Sequence, residues 1–309
     1  MGRELVPGHR AARLHGYTHR LGTAYDANNL AFFPLYPFLV KVVGALTPGT
    51  LATAGLLITV VASFLAAWGI FAVGDRLHGR RAAVLLTVLW AALPVGLVQW
   101  IAVDGLHGVP VHGVRGMVAV RGAQDRRLWA GSLAALSGLT RPTGIAAAVT
   151  VTALLGLRHR FSSRALVAAA LAPAGWLAYV GWVGWRLGRW DGYFAVQRLW
   201  HNEWDGGAGT LRRMREVLVT DSTPELFLVT VTVTLVVSTA LHVLCVWDRR
   251  PLPLLLFTGV LLLIVLGSGG VYFPRARFLL PGFPLLLPVA LHLSRASRRY
   301  LTLALRAVP

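Results

Sequence analysis

Residues 51–73 read LATAGLLITVVASFLAAWGIFAV, a run that contains no Asp, Glu, Lys or Arg. About 20 consecutive apolar residues make a helix long enough to cross the hydrocarbon layer, where every backbone N–H and C=O must be satisfied within the segment. Residues 82–102, 165–185 and 226–247 have the same character. Shorter or interrupted apolar runs lie at 128–157, broken by Arg141-Pro142, at 252–268, and at 278–293, broken by Pro281, Pro284 and Pro288. Proline inside such runs predicts kinked or discontinuous helices.

The composition of the whole chain agrees. Of 309 residues, 56% are hydrophobic and 14% charged, with mean hydropathy +0.63. Soluble domains carry about a quarter charged residues. The expectation is therefore an all-α, polytopic transmembrane helix bundle of about 7–8 membrane segments, some broken by proline. Residues 1–309 form a single transmembrane domain in this reading, with 1–27 as a non-membrane N-terminal segment and 186–225 as an extracytoplasmic loop.

The charge balance, 30 Lys and Arg against 12 Asp and Glu, gives a formal net charge of +18. Most of the basic residues lie in short connectors at 75–81, 158–164, 248–250 and 294–306, which is the positive-inside pattern and not a folded nucleic-acid module. No nucleic-acid partner is expected; the partner is the lipid bilayer. Placing these connectors in the cytoplasm predicts a multi-pass plasma-membrane protein with a cytoplasmic C-terminus. The polar loop at 186–225, the segment 26–37 and the connector at 267–277 then share the far side.

Residues 103–127 read VDGLHGVPVHGVRGMVAVRGAQDRR, too polar to cross. Either this is a far-side loop followed by one crossing through Arg141, or 128–157 is a hairpin that turns at Arg141-Pro142. An Arg at mid-bilayer costs about 2.5–3.5 kcal/mol on insertion scales, which favours the hairpin.

The single cysteine, Cys245, excludes a disulfide within the chain. His107 and His112 have no carboxylate or thiolate cluster beside them, so no metal site is expected. The glycine-rich elements lack the helix context and Lys of a nucleotide loop, so no nucleotide cofactor is implied. Trp182, Trp185 and Trp190 cluster where a span exits and are assigned to an interfacial belt. Trp200 and Trp204 lie farther from span ends and suit sugar stacking or loop anchoring equally.

Four segments carry a family resemblance. They are NNLAFFPLYP at 28–37, GLTRPTG at 138–144, YFAVQ at 193–197 with Trp200 and WDGG at 204–207, and PRARFLLPGFP at 274–284. In this order and spacing the chain resembles the actinobacterial branch of the phosphatidylinositol-glycan class V (PIG-V)-like mannosyltransferases, within the GT-C superfamily of membrane glycosyltransferases. The resemblance implies a GT-C-like bundle that transfers a sugar, mannose in this family, from a polyprenyl-phosphate donor to an extracytoplasmic acceptor. The lipid-linked sugar is a donor substrate, and no separate cofactor is implied.

Arginine suits the donor phosphate because its guanidinium makes charge-assisted, often bidentate hydrogen bonds. Arg141, Arg275 and Arg277 are the donor-phosphate candidates, although snorkelling at a helix end would also account for Arg275 and Arg277. Asn29, Tyr36, Gln197, Trp200 and Asp205 complete the expected substrate-binding set. Transfer with inversion also needs a carboxylate to accept the acceptor's hydroxyl proton.

The resemblance implies such an Asp in a Trp-Asp loop that follows an initial membrane helix and precedes FFPLYP. The chain shows neither, and residues 103–126 also depart from the family pattern. The expectation is a late-starting, altered family member with little or no activity. Asp26 is the carboxylate nearest FFPLYP and the one catalytic candidate. A transporter or flippase, or a non-catalytic membrane scaffold, is the alternative. Polar groups gathered at one face, away from the spans, favour interfacial chemistry over transport.

Overall fold

The computed structural model describes residues 29–92, 127–157, 163–199, 202–220, 223, 225–272 and 275–306. Within these the chain is helical throughout, and one isolated antiparallel bridge, Trp204 with Ser268, stands outside the helices. Three helices are long and apolar enough to cross a membrane: Leu51–His78, Ser163–Leu187 and Leu226–Trp247. Of the run at 82–102, the first half is helical, and residues 93–102 fall outside the described residues.

The first helices form an antiparallel unit. α1 (Leu35–Leu46) leads to α2 (Leu51–His78), whose N-terminus is capped by Thr50 accepting from the Thr53 N–H at 3.3 Å. A single glycine then turns α2 into α3 (Arg80–Ala91). Gly79 has φ +84°, a conformation that side chains with a Cβ rarely adopt, and its N–H closes on the Asp75 carbonyl at 2.9 Å. Beyond the turn, Ile70 and Val73 pack with Leu86 and Trp90.

α4 (Arg127–Gly138), α5 (Ile145–Leu157) and α6 (Ser163–Leu187) form the second unit. Gly131 lies against the Ala168 backbone and Gly138 against Trp176, so α4 runs parallel to α6. The Thr152 hydroxyl reaches the Ala169 carbonyl at 3.3 Å, which makes α5 antiparallel to α6. The chain therefore reverses between α4 and α5. The reversal sits at Arg141-Pro142: Arg141 is extended at φ −158°, and Pro142 starts a 3-10 turn, Pro142–Gly144, where its missing N–H costs nothing. The arginine is at a turn and not inside a helix.

Next come α7 (Gly192–Leu199), α8 (Ala208–Arg215), a π-turn at Glu216–Thr220, α9 (Leu226–Trp247) and α10 (Leu252–Gly267). The loop at 186–225 is thus largely helical where it is described. The proline-broken run at 278–293 is discontinuous, as its prolines predict: α11 (Arg275–Phe278), a turn, a 3-10 helix at Phe283–Leu286, and then α12 (Leu287–Arg306). The Trp90 indole N–H donates to the Leu280 carbonyl at 3.0 Å. Non-helical backbone buried in a bundle needs such a partner.

Polar side chains inside the apolar helices satisfy themselves. Thr59, Ser63, Thr230, Thr232, Thr234 and Thr239 each donate to the carbonyl four residues earlier, at 2.7–2.9 Å. The outward faces are apolar, with Phe64, Trp68, Val236 and Leu244 all at least half exposed. An apolar surface this extensive belongs against lipid. Trp185 and Trp190 at one end and Trp247 at the other are highly exposed, as interfacial aromatic belts are.

Candidate functional site

The four sequence segments meet at one end of the bundle. The short 3-10 helix Asn29–Ala31 and the following Phe33 pack on α6 and α7, where Phe33, Tyr179 and Tyr193 share ring contacts of 4.7–6.2 Å. The Tyr179 hydroxyl donates to the carbonyls of Leu30 at 3.0 Å and Phe32 at 2.6 Å. One turn further on, the Leu35 N–H donates to the Leu139 carbonyl at 3.2 Å. That bond ties the FFPLYP segment to the GLTRPTG turn.

From Leu139 the row continues through Arg141. Its guanidinium lies 5.4 Å from the Phe278 ring centroid, and the Arg277 guanidinium lies at the same distance from that ring. Burial, and after it the charge of Arg277, push the Arg141 guanidinium down to about 10, so it stays protonated at neutral pH. Arg275 is 2% exposed, donates to the Thr210 hydroxyl, and sits 5.2 Å from the Tyr272 ring centroid. Burial lowers its pKa, while Asp205 and Tyr272 pull it back up. Arg141 and Arg277 thus meet at one ring, while Arg275, two residues from Arg277 on the same short helix, is coupled to the Asp205 carboxylate.

Asp205 accepts backbone N–H bonds from Gly207 at 2.9 Å and Gly209 at 2.7 Å, which fasten the start of α8. The Gly209 bond, then the Gly207 bond and Arg275, lower its pKa. Both carboxylate oxygens are thereby engaged with the chain itself. The Asp205 N–H bonds to the Gly267 carbonyl at 3.2 Å, and the Gly269 N–H bonds to the Glu203 carbonyl at 2.6 Å. These two bonds hold the WDGG segment against the end of α10. A Cβ on Gly267 would collide with the Trp204 ring, so this indole rests on a glycine surface. Here Trp204 anchors the loop.

Gln197 is similarly occupied. Its amide N–H₂ donates to the Ala31 carbonyl at 3.0 Å and to the Tyr193 hydroxyl at 2.9 Å, while its amide oxygen accepts from Asn202 at 3.3 Å. The Tyr36 side chain is buried and its hydroxyl bonds Thr59. Asn29 opens the 3-10 helix. Asp26 and Trp200 lie outside the described residues, as do His107, His112 and the segments 1–27 and 103–126.

Compared with family models, with curated proteins and with solved structures, the chain matches none. Two guanidiniums, Arg141 and Arg277, share the Phe278 ring, and paired guanidiniums of this kind suit a phosphate chemically.

Thr210 and Tyr272 are part of this arrangement although no motif singles them out. A lone Thr in an arginine-rich helix has no motif around it. Among the described residues, no hydrogen bond or ion pair engages the exposed Glu203 carboxylate. Asp191, in contrast, is clamped by Arg189 at 2.6 Å and Arg198 at 2.9 Å. Those two guanidiniums hold its carboxyl down to about 2. No group of three or more metal-ligating side chains occurs among the described residues.

Proposed function

We propose that the chain is a GT-C-like membrane glycosyltransferase of about 7–8 membrane segments. In this reading it takes a sugar, mannose by resemblance, from a polyprenyl-phosphate donor to an acceptor on the non-cytoplasmic face. The observation that supports it best is the meeting of Arg141 and Arg277 at the Phe278 ring, with Arg275 two residues from Arg277. These residues come from two segments more than a hundred positions apart, and each segment is one that carries the resemblance.

A polyprenyl-phosphate sugar presents its phosphodiester at the membrane surface with the sugar just beyond. In the proposed mode Arg141 and Arg277 take the phosphate oxygens, while Arg275 is held by Thr210 and adds to the positive charge of the same short helix. As the glycosidic bond breaks, negative charge develops on the leaving phosphate, and fixed guanidiniums stabilise it without reorganising. The acceptor hydroxyl must lose its proton, and among the described carboxylates of this loop Glu203 and Glu225 carry no internal hydrogen bond or ion pair, Glu203 being the one beside the WDGG segment. Asp205 serves the loop instead, and Asp26 keeps its place as a candidate from sequence.

Donor binding and transfer are tested separately. Purified chain in detergent is incubated with radiolabelled polyprenyl-phosphate-mannose; retained label reports binding, and label passed to a membrane acceptor reports transfer. Arg277→Ala is expected to weaken retention roughly ten-fold or more, and Arg277→Lys to restore it only in part, because Lys keeps the charge but loses the fork. Equal retention by wild type and Arg277→Ala would remove the arginine row from the donor site.

A further inference from the structure

The opposite end of the bundle holds a second concentration of positive charge, built differently. The glycine turn between α2 and α3 and the face of α12 border a half-open cavity of about 440 Å³, lined by His78, Gly79, Arg80, Arg81, Ser294 and Arg295 among others. The volume is in the range of small-ligand pockets. It lies one α10 length, 16 residues or about 24 Å, from the WDGG segment. None of its lining residues belongs to the arginine row.

The cavity lacks its own counter-charge. No lining residue is a carboxylate. Among the described residues, no ion pair involves Arg80, Arg81 or Arg295. Two carboxylates stand near this end: Asp248 is bound to Arg250 at 2.5 Å, and Asp75, one turn before Gly79, is exposed and does not line the cavity. A terminal nitrogen of Arg250 also lies 3.3 Å from His78 Nε2. Arginine can only donate, so in this contact His78 Nε2 is the acceptor. The buried Arg250 Nε has no hydrogen-bond partner. α3 also begins here, and no side chain caps its first N–H groups. Its uncapped donors and positive dipole end add to the three guanidiniums.

The apolar neighbours indicate where an anion would come from. Leu291 and Ala82 line the same cavity, and Leu77 and Val84 beside it are exposed on the surface that faces lipid. Trp247, 84% exposed, marks the interfacial level at this end. A ligand here would have a phosphate in the basic cavity and a hydrophobic body along α2 and α3. We propose that this cavity binds the phosphate ester headgroup of an anionic membrane phospholipid in the leaflet at the basic end. The bound lipid would neutralise a cluster of arginines that the protein leaves without partners, and so clamp α12 to the α2–α3 turn. The inference stands on the membrane fold and does not depend on the sugar-transfer reading.

The test uses the full chain in nanodiscs of phosphatidylcholine with about 20 mol% phosphatidylglycerol, followed by native mass spectrometry of lipid retained after gentle delipidation. Wild type is expected to keep phosphatidylglycerol in preference to phosphatidylcholine. The double variant Arg80→Gln/Arg295→Gln is expected to hold it roughly 30-fold less well, the loss that two interfacial arginines imply. Arg164→Gln, an arginine outside the cavity, serves as the control for folding and for general charge, and should retain the lipid as wild type does. Equal retention by wild type and the double variant, or equal retention of the two lipids by wild type, overturns the proposal. A third arm adds inorganic phosphate at about 10 mM: displacement of the lipid would assign the site to free phosphate and overturn the lipid reading, and persistence of the lipid supports it.

Discussion

The backbone N–H of Leu35 donates to the carbonyl of Leu139 at 3.2 Å, joining the start of α1 to the end of α4. The bond has a physical origin on each side. Pro34 stands at the N-cap of α1 with no side-chain cap, which leaves the first N–H groups of that helix without internal partners, while the α4–α5 turn leaves the carbonyls at the end of α4 in the same position. Each orphan satisfies the other. Because Arg141 follows Leu139 by two residues, the same bond fixes the arginine turn relative to the aromatic cluster of Phe33, Tyr179 and Tyr193.

Thr210 braces a buried charge, so its removal is expected to cost more than a typical surface change. Thr210→Val keeps the shape but removes the acceptor for Arg275 and the donor to the Leu266 carbonyl, at 2.6 Å. A lost hydrogen bond to a buried charged group costs about 1.5–3 kcal/mol. Thermal unfolding in detergent should show a clear drop for Thr210→Val and a much smaller one for Thr210→Ser. Indistinguishable melting of Val and Ser variants would show that the Thr210 hydroxyl does not hold Arg275.

The parallel packing of α4 and α6 depends on having no side chains where the backbones meet. A Cβ on Gly131 would come within 2.6 Å of the Ala168 carbonyl oxygen, and one on Gly175 would strike the Ala135 carbonyl. In lipid, helix association rests on such close packing because the surroundings are as apolar as the side chains. Gly175→Val should therefore separate α4 from α6 and lower the melting temperature, with an overpacking penalty of about 1–3 kcal/mol. Gly181→Val on the same helix meets nothing within 4 Å and is the matched control. Equal effects of the two substitutions would argue against the tight α4–α6 contact.

Asp205 makes the start of α8 sensitive to acid. Its folded pKa lies below the ordinary value of 3.8, so the folded state favours the carboxylate. The stabilisation is therefore complete above about pH 4 and fades as the pH falls through the depressed value. The capping contribution is about 0.5–1 kcal/mol, at the low end because the group faces water. Hydrogen exchange at the Gly207 and Gly209 amides should rise in Asp205→Ala at neutral pH, and the wild type should approach the variant only in acid. A pH-independent gap between the two would mean that the charge on Asp205 does not matter to the cap.

The spans and the breaks were legible in the sequence because both follow from local rules. Residues 51–73 and 226–247 are apolar without interruption and fold as long helices, and Pro142, Pro281 and Pro284 mark the points where helices stop. The Arg141 turn could be argued from the cost of burying a charge in lipid. The arginine row was legible only as three residues on one side, since the contact of Arg141 and Arg277 with one ring, Phe278, depends on how α4 and α11 pack. The inward use of Gln197 and Asp205 was not legible. An amide or carboxylate in a loop reads the same whether it faces a substrate or caps a helix, and the difference lies in backbone geometry at Ala31, Gly207 and Gly209. Thr210 was invisible for the same reason.

The basic connectors predict that the end bearing His78, Arg164, Arg250 and Arg295 faces the cytoplasm, which would put the arginine row on the far side. Positive residues in short loops are retained on the cytoplasmic side, and Asp and Glu contribute little to the choice. Two exposed positions report the two ends: Arg164 at the start of α6 and Glu203 beside the WDGG segment. The native thiol, Cys245, is 2% exposed and gives little background. In intact cells a membrane-impermeant maleimide is expected to label Glu203→Cys and to leave Arg164→Cys unmodified until the membrane is opened. A C-terminal fluorescent fusion should be bright in the same cells. Labelling of Arg164→Cys from outside, with Glu203→Cys protected, would invert the bundle and bring the arginine row to the cytoplasm. A lipid-linked sugar on the outer face could then no longer be its substrate.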